Sequence, residues 1–141
     1  MTAESVLGIQ VGHTATFTKQ VTEADVTAFA QVTGDANPVH LDAAYAARTR
    51  FGQRIAHGML SAGFISAALG TRLAPDAVVV YVSQSMRFRR PVFIGDTVTA
   101  RVEVTAVDPE RRLVTARTDC TNQDGETVLT GEATVLLDPL R

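Results

Sequence analysis

The sequence predicts an α+β fold in which one buried helix is wrapped by a curved antiparallel sheet. Three observations carry this. Helical patterns crowd the first half of the chain, after one early strand. The run Gly58 to Thr71 is apolar on every side. Beyond it, four segments alternate apolar and polar residues with the period of a strand. Segregated helices and strands of this kind pack as an α+β domain.

Residues 12 to 20 set Thr14, Thr16 and Thr18 against Ala15, Phe17 and Lys19, as a half-buried strand does. Thr22-Glu23-Ala24-Asp25 resembles a capping box with Asp in place of Glu, and Val26, Phe29, Ala30 and Val32 follow at helical spacing. Gly34 is a natural stop, because glycine takes the left-handed conformation beyond a helix end. The Asn37-Pro38 bond drives Asn37 towards extended backbone, so Asp35 to His40 reads as a proline-stiffened loop. Asp42 caps a short helix through Ala43, Ala44, Tyr45 and Ala46. Thr49 to Ala56 has no period and reads as an irregular loop.

Gly58 to Thr71 carries small residues at Ser61, Ala62, Gly63, Ser66, Ala67 and Ala68. A helix without a polar face has to be surrounded, and small residues let a sheet come close. In the next strand Val80, Val82, Gln84, Met86 and Phe88 share one face, with Tyr81, Ser83, Ser85, Arg87 and Arg89 on the other, and Pro91 ends or bends it. Val98, Ala100, Val102, Val104 and Ala106 alternate as cleanly. Asp108-Pro109-Glu110 and Asn122-Gln123-Asp124-Gly125 are turn signals between successive strands. The last strand is expected to bury Leu129, Gly131, Ala133, Val135 and Leu137.

Composition removes several classes of function. At 141 residues, 45% apolar and 20% charged, the chain suits one globular core, with residues 1–141 as a single domain. A net charge of −2 leaves no basic excess to meet nucleic-acid phosphates. Cys120 alone excludes an internal disulfide framework, and no leader pattern opens the chain, so the expected compartment is the cytoplasm. Gly58 to Gly70 is too short to span a bilayer. Three histidines and one cysteine give no zinc-site spacing, and no phosphate loop or dinucleotide fingerprint follows a strand. Neither a metal nor a bound cofactor is expected.

The chemistry concentrates in Gly34-Asp35-Ala36-Asn37-Pro38-Val39-His40 and Arg54-Ile55-Ala56-His57-Gly58-Met59. A carboxylate and an imidazole stand a few residues apart, ahead of an apolar helix that begins with glycine. Taken singly, Asp35 reads as a turn residue and His40 as a loop histidine satisfied by backbone. Together, and before that helix start, they read as a functional pair. With Phe29-Ala30, Thr33, Asp42, Tyr45-Ala46, Pro91-Val92-Phe93-Ile94-Gly95-Asp96 and Val128 to Ala133, these motifs give a chain that resembles the MaoC-like family over nearly its whole length. The paired Asp and His resemble its (R)-specific enoyl-CoA hydratases.

That resemblance implies a hot-dog fold, a homodimer and an acyl-CoA thioester as substrate, with coenzyme A entering as part of the substrate. It implies that Asp35 and His40 are the catalytic pair, that the Gly58 N–H is the oxyanion donor, and that Ser66 lines the acyl pocket. The reaction is then reversible syn addition of water to a trans-2-enoyl-CoA. An unpartnered helix N-terminus supplies N–H groups and partial positive charge to the thioester oxygen. Asp35 is the base for water, and His40 holds the same water and helps return the proton to C2. Asn37 fixes the loop or holds Asp35 through its amide.

Other positions keep two readings. Gln84 is a substrate-contacting side chain or a hydrogen-bonded core glutamine, and Ser66 lines the pocket or is a plain buried helical serine. His57 orients the loop or is structural. Arg87, Arg89 and Arg90 meet phosphates or lie on a solvated strand edge. His13 is expected in solvent. Rival functions are a 3-hydroxyacyl dehydratase on acyl-carrier-protein thioesters, a thioesterase, and a non-catalytic acyl-thioester-binding subunit.

Overall fold

The computed structural model describes residues 3–141. β1 (Thr14–Gln20) turns its threonines outward and leaves Ala15, Phe17 and Lys19 half-buried. α1 (Glu23–Thr33) starts on the expected box: the Thr22 hydroxyl accepts from the Asp25 N–H at 3.1 Å, and the Asp25 carboxylate accepts from the Thr22 N–H at 3.0 Å. Gly34 ends it at φ 80°, a conformation that costs glycine nothing. Val26 and Ala30 are buried. Val32 is 83% exposed, contrary to its expected place in the core. It lies six residues beyond Val26, about 240° round the helix and off the buried stripe.

The stretch expected as loop contains a further turn of helix, α2 (Pro38–Leu41), with Pro38 in the first turn, where a missing N–H costs least. α3 (Ala43–Ala47) is capped by Asp42, whose carboxylate accepts from the Tyr45 N–H at 3.0 Å. α4 (Gly58–Ala67) continues as a wider π-helical segment through Ala68–Leu73, a little past the expected end at Thr71.

The remaining strands are β2 (Ala77–Phe88), β3 (Thr97–Asp108), β4 (Leu113–Thr121) and β5 (Thr127–Pro139). They join β1 in one antiparallel sheet of order β1-β3-β4-β5-β2. α4 and its continuation lie against β1, β3, β4 and β2, with Phe64, Ile65, Ala68, Leu69 and Leu73 buried among Val98, Val102, Val114, Leu129 and Val135. This is the α+β hot-dog arrangement that the sequence pattern and the resemblance lead one to expect.

Three expectations need correction. β2 does not keep one phase: its register slips between Tyr81 and Ser83, leaving Val82 as an extra residue. Ala77, Val79 and Tyr81 therefore share the side of Gln84, Met86 and Phe88, while Val78 and Val80 point outward. A second slip between Val104 and Ala106 in β3 turns Ala106 out and Val107 in. The third concerns α4, which is not surrounded within this chain. Met59, Gly63, Ser66 and Gly70 are exposed along the side away from the sheet.

Candidate active site

Gly34 ends α1 so that Asp35 leaves it on a tight turn. The Asp35 N–H donates to the Thr33 hydroxyl at 3.2 Å, and the Asp35 carboxylate accepts from the Asn37 N–H at 3.3 Å. The Asn37 side-chain carbonyl accepts from the Val39 N–H at 3.2 Å and caps α2. Asn37 thus fixes the turn with its side chain and meets Asp35 with its backbone, and it lines neither of the cavities described below.

α2 presents His40, which is buried. Its Nδ1 lies 2.7 Å from the Ile55 carbonyl oxygen. A carbonyl only accepts, so Nδ1 carries the proton and Nε2 is left as the basic nitrogen. The segment that supplies this carbonyl is pinned to the sheet side of the molecule: Ile55 bridges Phe93, and the Ala56 N–H donates to the Val92 carbonyl at 2.7 Å. Arg54 braces the turn from behind. Its Nε donates to the His40 carbonyl at 2.7 Å and its Nη1 pairs with Glu23 of α1 at 2.7 Å. Burial pushes the His40 imidazole below its ordinary value of 6.5, and the neighbouring His57 ring pushes the same way; the Ile55 carbonyl and Asp35 oppose them.

His57 precedes α4 and is only 2% exposed. Its Nε2 lies 2.9 Å from the Asp35 main-chain oxygen, so Nε2–H is the donor there. A carboxylate oxygen of Asp35 and one ring nitrogen each of His40 and His57 lie within 4.8 Å of one another. The two imidazoles are stacked, with centroids 3.9 Å apart and planes 32° from parallel. Ring lone pairs lie in the ring plane, so stacked rings do not aim them at one ion. The group is suited to moving protons rather than to chelation.

α4 has no side-chain cap at its N-terminus; the Leu60 N–H donates to the His57 carbonyl at 3.0 Å, while among the described residues the Gly58 and Met59 N–H groups meet no partner. A Cβ on Gly58 would stand 2.7 Å and 2.9 Å from Cε1 and Cδ1 of the Phe88 ring, which explains the glycine. A cavity of about 380 Å³ opens here, walled by His40, Gly58, Ser61, Phe88, Val128 and Leu129 among others. Arg50, Arg89 and Arg90 also line it, which makes its edge cationic. Asp35 is exposed beside His40 rather than on that wall.

A second space of about 550 Å³ lies between the open side of α4 and β2, against Phe29, Met59, Ala62, Tyr81 and Gln84. Gln84 is fully engaged: its amide donates to the Thr118 hydroxyl at 2.9 Å and the Ser85 carbonyl at 2.8 Å, and its oxygen accepts from the Tyr81 hydroxyl. These bonds accord with the hydrogen-bonded glutamine reading, while the half-buried side chain still borders the second space. Ser66 lines neither space and is exposed one turn beyond Ala62; the serine on the His40 cavity is Ser61, three residues from Gly58 and on the same side of the helix. Arg87 lies away from this cavity, beside Ser85 and Thr130. His13 is exposed.

Sequence reasoning gave no site role to Arg50, Arg54 or Phe88.

Residues 8–124 match the family model described as MaoC like domain. The chain is 53% identical over 129 residues to the (R)-specific enoyl-CoA hydratase of Rhodospirillum rubrum, covering 92% of this chain and 88% of that protein. It is 53% identical over 128 residues to the 3-hydroxybutyryl-CoA dehydratase of Methylorubrum extorquens, covering 90% and 80%. The solved (R)-hydratase of Aeromonas caviae superposes with a TM-score of 0.88 at 44% identity, over 92% of this chain and 98% of that one. The fold agrees with the solved relative, and the chain belongs to the MaoC-like family.

Proposed function

We propose that this protein is an (R)-specific enoyl-CoA hydratase, a hydro-lyase that adds water reversibly to a trans-2-enoyl-CoA. The observation that carries the reading is the meeting of Asp35 and His40 at the edge of the cavity on which His40 and the uncapped helix start at Gly58 both lie. The thioester oxygen accepts from the Gly58 N–H, which draws charge from the double bond and makes C3 electrophilic. Asp35 takes a proton as the water oxygen bonds to C3. His40 Nε2, unprotonated, accepts a hydrogen bond from the other O–H of that water, and the proton taken by Asp35 passes to C2, so H goes to C2 and OH to C3 with no redox partner. We propose no cofactor or metal for these steps. Coenzyme A arrives as part of the substrate, and the cationic edge at Arg50, Arg89 and Arg90 suits its phosphates.

Loss of enoyl-thioester absorbance with crotonyl-CoA tests the reading. Asp35→Asn and His40→Ala are expected to lower turnover on the order of 10²–10⁴-fold. Full activity in both variants would sink the mechanism, and an inactive wild type would sink the substrate class. Chiral analysis of the product tests the (R) assignment. A higher rate with crotonyl-carrier protein than with crotonyl-CoA would move the chain to the dehydratase reading with the same residues.

The working unit proposed is a homodimer in the cytoplasm. Supporting it, β2 is an open sheet edge with Val78, Val80, Tyr81 and Val82 exposed, next to exposed Met59 on α4. A mass measurement in solution checks this; a monomer at micromolar concentration would refute it. The free thiol of Cys120, buried and pushed up to about 12 by burial and by Asp119, suits a reducing compartment. Among the described residues no helix is long and apolar enough to cross a membrane.

A further inference from the structure

His57 is built at odds with simple stability. Its Nδ1 is shut off from solvent and has no hydrogen-bond partner among the described residues, an arrangement that an apolar ring would relieve. The imidazole is nevertheless held on three sides. Nε2–H donates to the Asp35 carbonyl at 2.9 Å, one face lies on the His40 ring at 3.9 Å, and the Phe29 ring lies 4.6 Å away. Asp35 and His40 share no other direct tie to one element, since Asp35 hangs on its turn and His40 on the Ile55 carbonyl.

We propose that His57 is a positioning residue of this site, fixing the main chain at Asp35 and the plane of the His40 ring at the same time. This rests on the hydratase reading above. One imidazole sets the spacing of the two groups that must hold a single water. A misplacement of about 1 Å in such a pair costs about 10²-fold in rate. The stacking has a second consequence. Two imidazoles in contact resist carrying two protons, so His57 works with burial to keep His40 Nε2 free for the water. The other charged groups around His40 are Asp35 on the turn, Arg54 on its carbonyl with Glu23 behind, and Arg50, Arg89 and Arg90 along the cavity, with Arg90 paired to Glu126. Of these, Asp35 acts against the effect.

Two substitutions separate the parts. His57→Phe keeps a ring against His40 and Phe29 but removes the donor; His57→Gln keeps a donor near the Nε2 position but removes the ring. With crotonyl-CoA, His57→Phe is expected to lower kcat about 30-fold to 100-fold with KM changed less than about threefold, while its Tm equals or exceeds that of wild type. His57→Gln is expected to recover part of that kcat, the remainder being lost with the ring that lies on His40. In both variants the His40 titration followed by NMR is expected to move to higher pH, with the acid limb of kcat/KM moving alike. A folded His57→Phe with wild-type kcat overturns the proposal, as does equal loss of kcat in both variants. A His40 titration unmoved in both overturns the link between the rings. The NMR measurement needs no turnover, so an inactive wild type, which defeats the hydratase reading, still leaves the His57–His40 contact decided.

Discussion

Two helix starts in this chain are built in opposite ways. α1 opens with a reciprocal box in which Thr22 and Asp25 satisfy each other's backbone N–H groups, and Lys19 adds its ammonium to the same carboxylate. α4 opens with no side-chain cap; the residue in the capping position, His57, sends its ring to Asp35 instead, and Gly58 keeps the backbone clear. At α1 the donors are consumed by the fold. At α4 they face a cavity, and the helix is held by burial of Ile65 and Leu69 rather than by its end. The comparison separates residues that hold the fold from residues that leave chemistry available.

The sharpest way to break that contrast is to close the open end. Gly58→Ala puts a methyl group 2.7 Å from the half-exposed Phe88 ring, so close that the ring has to shift at the edge of the cavity it lines. The fold should survive, because the colliding atoms belong to a half-exposed side chain, while a displaced ring at the helix start should lower turnover of crotonyl-CoA on the order of 10²-fold, the scale of one blocked oxyanion contact. Phe88→Leu in the same chain should recover part of the loss. A Gly58→Ala variant with wild-type turnover would show that the substrate needs no open backbone at the helix start. Asn37→Ala is intermediate. It removes the acceptor for the Val39 N–H from a helix of a single turn that carries His40. Turnover should drop about tenfold, with a stability loss of about 1 kcal/mol by denaturant titration.

The capped end gives the opposite signature. Thr22→Ala should cost about 1 kcal/mol of stability and leave kcat and KM as they are. Equal damage to activity would mean that α1 and the turn after it move as one body with the site.

The α1 start was legible because its signal is local: a threonine, an acid three residues on, and a glycine at the far end. Asp42 capping α3 was legible for the same reason. Asp35, His40 and Gly58 could be paired because a proline and a glycine frame them within a short stretch. What failed depends on other segments. Val82 and Thr105 are extra residues only relative to the strands beside them, so no pattern within β2 or β3 marks where the phase reverses. Gln84 looked out of place among apolar neighbours until Thr118 and Tyr81 arrived to bond it. His57 reaches an oxygen 22 residues away, a contact that no spacing rule predicts. Ser66 and Ser61 share one composition signal, and only the direction of each around the helix tells them apart.

The smallest expected effect concerns pH, and it probes the turn rather than the helix. His40 sits below its ordinary value of 6.5 in the folded chain. As pH falls through 6.5, an unfolded chain takes up a proton at His40 that the folded chain refuses, so the unfolded state binds more protons and folding stability declines. The contribution is complete above 6.5 and is lost progressively towards the lower folded value. Activity should hold out longer, because the folded His40 remains neutral within that window and its Nε2 is still available to the water. Between those two values, then, denaturant midpoints should fall while kcat/KM stays level, with the acid limb of kcat/KM lying wholly below pH 6.5. A His40→Gln chain should lose this part of the decline in midpoint. If wild-type activity and stability fell together from pH 6.5, His40 would be titrating as an exposed histidine, and the buried turn would not be the species that reacts.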